Sequence, residues 1–185
     1  MRLLRIYTGT TMRYLLLLFS TLVFIVDSLS IMTVSAKLKD LGITIRAPTA
    51  PKGNYCLCVR TGNLLHLCGH IPQKDDGSLI KGRVGQDMTV EEGYVSARCC
   101  AENILNTLHQ ELDGDWTRVV RIVKLVGFVN SADDFEQQPA VMNGASDLFV
   151  QVFGDAGLHA RSAVGTNVLP LGVATEVEAI IEIRD

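Results

Sequence analysis

The chain has 185 residues, enough for one domain that buries its own core. Its 17 Lys and Arg against 20 Asp and Glu give a formal charge of −3, unevenly spread: Arg2, Arg5 and Arg13 meet only Asp27 in residues 1–31, leaving the remainder 14 basic and 19 acidic residues, or −5. A net acidic body lacks a broad electrostatic footprint for nucleic acid, so no nucleic-acid partner is expected.

Residues 1–33 read as a leader or upstream extension, and residues 34–185 as the folded domain. Tyr14 to Val26 is an apolar run in which only Ser20 and Thr21 are polar. It is short for a membrane span, which needs about 20 apolar residues, and suits the core of a secretory signal, with Val34-Ser35-Ala36 as a candidate cleavage site. The absence of acids before Asp27 leaves a mitochondrial leader open. A third reading makes Met32 the true start and the protein cytoplasmic. No membrane partner is expected for the folded domain.

Ala36 to Leu41 predicts a short helix ended by Gly42, followed by an extended connector at Ala47-Pro48-Thr49-Ala50-Pro51. Asn54–Arg60 and Asn63–Gly69 predict a hairpin turning at Thr61-Gly62, with Leu57 opposite His66 and Tyr55 opposite Cys68. That register puts Tyr55, Leu57, Val59, Leu64, His66 and Cys68 on one face, and Cys56, Cys58, Leu65 and Leu67 on the other. The pleat therefore splits the cysteines and histidines that might have ligated a metal, and no metal is expected. The five cysteines (56, 58, 68, 99, 100) are odd in number and include an adjacent pair, so free thiols are the simpler account.

Gln73 to Gln86 is a polar loop. Thr89-Val90-Glu91-Glu92 is a capping box opening a helix whose stripe is Tyr94, Ala97, Ala101, Ile104, Leu105, Leu108 and Leu112, flanked by Cys100 as core filler. Asp113-Gly114-Asp115 ends it. Arg118–Val129, near-continuously apolar, predicts an interior strand. Ser131 to Asp134 offers caps for a second helix from about Phe135 to Phe153. Two further β-type runs flank a loop with Pro170 and Gly172. The order is β-β-α-β-α-β-β: an α+β fold, a mixed sheet with two helices on one face. Apolar outward positions on that sheet predict self-association.

Arg161 opens the first of the last two runs among Ala160, Ser162, Ala163 and Gly165, which leave its guanidinium unobstructed. A planar fork of donors there suits a bidentate carboxylate or phosphate. The alternative is an ion pair with an acid on the neighbouring strand. Glu176 and Glu178, two residues apart, share one face of the last strand.

Ala160-Arg161-Ser162, Leu169-Pro170 and Glu176-Val177-Glu178-Ala179-Ile180 resemble the C-terminal signature of the RidA/YjgF family, also called the L-PSP endoribonuclease family. The resemblance continues through Gly53-Asn54-Tyr55, Gly69-His70-Ile71-Pro72, Gly127-Phe128-Val129 and Val141-Met142-Asn143, in order over about residues 37–185. It implies a chorismate-mutase-like homotrimer with clefts between subunits and no cofactor. It also implies a 2-iminobutanoate/2-iminopropanoate deaminase-type hydrolase, converting reactive 2-imino or enamine acids to 2-keto acids and ammonia.

Matched position by position, Arg161 would bind the carboxylate and Glu176 would position the water. Tyr55, Cys68, Asn143 and Ala163 would line the site, and His70 could touch ligand. Cys68 stands where many members have serine or threonine, and Ala163 where active deaminases often have cysteine. The backbone carbonyl at 163 would survive that change, but the pocket would differ. The two departures motivate a second function, a non-catalytic binder of small carboxylates. A third, endoribonuclease or translation inhibitor, rests only on the older family name.

Overall fold

The structure, a computed structural model, describes residues 34–185. The expectations for a leader fall on residues 1–33, outside the described residues. Residues 34–40 are helical (α1), and Val34 and Leu38 are buried in the core. The suggested cleavage site at Val34-Ser35-Ala36 thus lies within a packed helix. Its end is a left-handed glycine cap: Gly42 has φ +70°, its N–H reaches the Lys39 carbonyl at 3.0 Å, and the Ile43 N–H reaches Leu38 at 2.9 Å.

Five strands form one sheet: β1 Cys58–Thr61, β2 Leu64–His70, β3 Val119–Asn130, β4 Ala160–Thr166 and β5 Thr175–Ile183, ordered β1-β2-β5-β3-β4. All neighbours are antiparallel except β3 and β4, which are parallel and joined through helix α3 (Gln138–Phe153). The last strand therefore inserts between β2 and β3. Helix α2 (Val90–Glu111) and α3 cover one face, as the sequence predicts. They approach closely at Gly144, where any Cβ would overlap the Tyr94 carbonyl.

The hairpin turns one residue later than predicted. Thr61 pairs with Leu64 and Val59 with His66, so the turn is Gly62-Asn63. Gly62 adopts φ +60°, which a turn at that place requires. Because both strands slip together, the assignment of faces survives: Cys58, Leu65 and Leu67 pack toward the helices, and Val59 and His66 are exposed. The partner of Tyr55 changes, however. Cys68 N–H bonds the Leu57 carbonyl at 3.0 Å, and Tyr55 lies outside the strand.

The capping box forms as predicted, with Glu92 N–H donating to the Thr89 hydroxyl at 3.2 Å and Thr89 N–H to the Glu92 carboxylate at 2.8 Å. Cys100 sits inside the buried stripe of α2 rather than beside it, and Tyr94 is half-buried at its margin. The start of α3 is a correction. Its N-cap is Gln137, with no side-chain cap, and Ser131–Asp134 do not serve. Pro139 explains this, because a proline fits only the first helical turn and so fixes the start just ahead of itself.

The loop at 73–86 forms isolated bridges rather than a strand, tying Gln73 to Leu79 and Lys81 to Val173. The sheet face away from the helices carries Val126, Phe128 and Ile180 beside Glu176 and Glu178, partly exposed in the single chain. Among the described residues no helix is long and apolar enough to cross a membrane.

Candidate functional site

Strand β2 carries the irregularity that builds the first half of the site. Leu67 pairs with Ala179, but His70 pairs with Val177, so Cys68 and Gly69 together oppose Glu178 as a β-bulge. The extra residue turns His70 under the sheet. It is 7% exposed, its Nδ1–H donates to the Cys68 carbonyl at 2.8 Å, and its Nε2 meets the Thr107 hydroxyl at 2.8 Å. Burial lowers its pKa, favouring the neutral ring. His70 is thus a buried tie between β2 and α2 that also lines the neighbouring cleft.

At the bulge a cleft of about 460 Å³ opens between the connector 46–52, the β2 end and the loop at 170–171. Tyr55 and Glu176 both line it. Tyr55 is 55% exposed, too open for a core aromatic. Gly69 is needed beneath Glu176, since a Cβ there would overlap its carboxylate. Burial raises the Glu176 pKa, and Glu178 on the same face raises it further. Cys68, next to them, has its thiol pushed up by burial, then by Glu176 and Glu178, so it is not a thiolate nucleophile.

The cleft wall is pinned by Arg46, which the sequence did not single out. Its Nη2 donates to the Gln73 carbonyl at 2.6 Å and Asn103 Oδ1 at 2.7 Å, its Nη1 to the Lys74 carbonyl at 3.0 Å, and its Nε pairs with Asp75 at 3.3 Å. Asn103 Nδ2 in turn donates to the Ile71 and Gln73 carbonyls. Arg46 precedes the Ala47–Pro51 connector and belongs to no sequence motif, so only the folded contacts reveal it.

The second half lies at the opposite edge. Arg161 on β4 sits beside Leu125 of β3, a fully buried position, so it leans toward the helix side. Its Nη1 donates to Asn143 Oδ1 at 3.0 Å and Ser146 Oγ at 2.9 Å, and its Nη2 to the Pro139 carbonyl at 3.1 Å. Pro139, Asn143 and Ser146 are spaced by four and three, one face of α3. Ser146 Oγ also meets His159 Nε2 at 3.0 Å, and His159 Nδ1–H donates to the Gly157 carbonyl at 2.6 Å. Burial lowers the pKa of His159, with Arg161 adding to the effect.

No acid pairs with Arg161 among the described residues. The acceptors that hold it are neutral, and they leave Nε–H and one Nη2–H unspent, donors of the kind a carboxylate accepts from. The ion pair with a neighbouring strand does not form. Ala163 follows two residues later on the same side, half-buried against the core.

The expected residues therefore fall into two groups. Arg161, Asn143 and Ala163 are together; Tyr55, Cys68 and Glu176 are together. Glu176 lies opposite Phe128 and Arg161 opposite Leu125, two strand spacings across and three residues along, roughly 14 Å between Cα atoms and on opposite faces. Ser146 and His159 were missed, although Asn143 and Ser146 are a helical three-residue pair and His159 is two residues from Arg161. Among the described residues no group of His, Cys, Asp and Glu could hold a metal ion.

The family model described as "YjgF/chorismate mutase-like, putative endoribonuclease" matches residues 35–183. Protein TCP17 of Trypanosoma cruzi is 45% identical over 153 residues, covering 82% of this chain and 95% of its own. A crystal structure of Atu1372 from Agrobacterium tumefaciens, of unknown function, superposes with a TM-score of 0.79 at 37% identity, covering 86% of this chain and 99% of that one. A structure titled as a "putative endoribonuclease" from Shewanella oneidensis gives 0.78 at 32% identity, covering 82% and 99%.

Proposed function

We propose that this chain, which belongs to the YjgF/chorismate mutase-like family, hydrolyses 2-imino acids to 2-keto acids and ammonia in clefts completed by a second copy of itself. The observation that carries the reading is the unspent donor fork of the Arg161 guanidinium, held by neutral acceptors and unpaired with any acid among the described residues. Such a fork is a ready seat for a substrate carboxylate. Within one chain it lies on the far side of the sheet from Glu176 and Tyr55. A neighbouring copy presenting its β4 edge to the cleft would bring the two groups together, and the partly apolar outer sheet face would be covered in a homotrimer.

In that arrangement Arg161 fixes the carboxylate and so the plane of the C=N bond. Glu176 takes a proton from water as its oxygen adds to the imine carbon. The same carboxyl returns that proton to nitrogen to give the carbinolamine. It then takes the carbinolamine hydroxyl proton and delivers it to nitrogen as the C–N bond breaks, so both protons of water leave on ammonia and its oxygen stays as the ketone. A carboxyl whose proton is held more tightly than usual suits both transfers. Tyr55 closes the apolar side of the pocket. Cys68 contributes no thiolate, and Ala163 contributes only its backbone and its small volume.

Two other readings are weaker. Binding of small carboxylates without turnover needs Arg161 alone, and the departures at Cys68 and Ala163 favour it. Ribonuclease action has little electrostatic support from a body with 14 basic and 19 acidic residues.

The test is ammonia release from 2-iminobutanoate and 2-aminoacrylate generated in situ, by the parent and by Arg161→Ala. Acceleration by the parent alone supports deamination. Saturable 2-keto-acid binding without acceleration would replace it with the binder.

A further inference from the structure

The turn that forms one wall of the cleft carries a residue in the wrong backbone conformation for its type. The Gly172 N–H bonds the Leu169 carbonyl at 3.0 Å, closing a four-residue turn with Pro170 second and Leu171 third. Leu171 has φ 61° and ψ 6°. A positive φ at the third position, after Pro, is the arrangement of a type II turn, where Gly or Asn is ordinarily required because a Cβ crowds the backbone. The chain has Gly172 immediately after, yet places Leu at the strained position. Leu171 is 54% exposed in the single chain, so packing within the chain does not compensate the strain. Leu171 lines the cleft together with Glu176 and Tyr55.

The rest of the cleft has the same character. Pro48, Pro51, Leu57, Ile71 and Leu79 supply apolar walls. Its polar side chains are largely spent on one another: Arg46 on the Gln73 and Lys74 carbonyls and Asn103, and Thr107 on His70. Lys52, exposed, is the wall cation outside that network. In the single chain, before a second copy adds its β4 edge, the volume of about 460 Å³ falls in the range of about 300–1,000 Å³ typical of sites for drug-sized ligands. That is far more than the smallest 2-imino acids fill.

We propose that the cleft takes 2-imino and 2-keto acids with extended apolar side chains, and that Leu171 is the residue that sets this preference. The inference rests on the carboxylate half of the function proposed above. Strain at an exposed, cleft-lining leucine is retained because its side chain contacts the ligand. The small products of serine- and threonine-type precursors would bind in the same orientation but leave the apolar wall unused.

The experiment measures binding of pyruvate, 2-oxobutanoate, 4-methyl-2-oxopentanoate and phenylpyruvate to the full chain by calorimetry, for the parent, Leu171→Gly and Leu171→Asn. Affinity in the parent should rise by up to about fourfold for each added carbon from pyruvate to 4-methyl-2-oxopentanoate. Both variants should flatten the series while raising Tm by a few degrees, since Gly and Asn tolerate the positive φ. That opposed movement of stability and selectivity is what a merely structural leucine would not produce.

A parent series that is flat, or falls with size, overturns the proposal. A variant that keeps the parent's slope, or changes the oligomer's mass, removes Leu171 from it. Ammonia release from the matching imines is read separately. A rising series with no turnover would sink deamination but leave the ligand class standing. Turnover confined to the smallest imines would do the reverse.

Discussion

Gly69 and Glu176 are matched across two strands: the glycine's missing Cβ is the space in which the Glu176 carboxylate lies. The pairing exists because the bulge at Cys68-Gly69 brings that backbone beneath β5. Gly69→Ala should therefore fold, because what it displaces is the far end of a flexible side chain. Its Tm should stay within a few degrees of the parent's, while the imine hydrolysis rate falls by about tenfold or more as Glu176 swings away. Parallel melting and ammonia-release measurements decide this. Unchanged turnover would remove Glu176 from the reaction.

The pKa of Glu176 is raised by burial and by Glu178, and this fixes the sign of a second expectation. A carboxyl that holds its proton more tightly folded than unfolded stabilises the fold when protonated. That contribution is complete below its ordinary value of 4.5 and is lost as pH rises through the higher folded value. Glu176→Gln removes the penalty of an ionised carboxylate beside Glu178. Its Tm should exceed the parent's at pH 7 and approach it at pH 4, even as hydrolysis is lost. A lower Tm at pH 7 would mean that ionised Glu176 is satisfied by contacts within the assembly.

Arg161 depends on a directed chain of hydrogen bonds. His159 Nδ1 faces a carbonyl and must carry the proton, so the neutral ring accepts at Nε2 from Ser146, whose oxygen accepts from Arg161. Protonating His159 turns Nε2 into a donor and sets a second cation beside the guanidinium. The ring is faced by Arg161 from β4, by the Gly157 carbonyl, and by Ser146 and Phe149 from α3, the last edge-on at 6.4 Å. A base with a lowered folded pKa contributes stability above its ordinary 6.5 that is lost as pH falls through the folded value. His159→Gln should reduce the loss of Tm between pH 7 and pH 5, with the remainder assigned to His70, which is lowered for the same reason. Ser146→Ala should weaken 2-keto-acid binding by about tenfold, since it removes one of three bonds to the guanidinium. Equal pH slopes in parent and His159→Gln would remove His159 from the pH dependence of stability.

The elements were legible in the sequence where one local rule decides: the capping box at Thr89, the glycine end at Gly42, and the pleat that separates Cys58 from Cys68. Those rules act over a few residues and leave their marks in order along the chain. The hairpin turn was misplaced by one residue because Thr61-Gly62 and Gly62-Asn63 both satisfy turn chemistry, and only pairing with the rest of the sheet chooses. The start of α3 was misread although Pro139 marks it. The site was half legible. Residue types at Arg161, Glu176 and Tyr55 could be named, but the bulge that buries His70 depends on β5 lying beside β2, more than a hundred residues away in the chain. The roles of Arg46 and Leu171 arise only from three-dimensional neighbours.

The cysteines give the last expectation. Burial pushes the Cys58 thiol up to about 12 and the Cys99 thiol to about 11, with Glu111 and Glu102 respectively adding to it. Cys100 is fully buried and raised well above its ordinary value, and Cys68 is raised beside Glu176. Since the thiolate is the reacting species, these four should alkylate slowly in the native protein. Cys56 is exposed and should react first. Iodoacetamide at pH 8, followed by mass spectrometry of the intact chain and its peptides, should show early labelling at Cys56 alone, with the other four appearing in denaturant. Early labelling at Cys68 would mean that the bulge opens in solution, and with it the seat of Glu176.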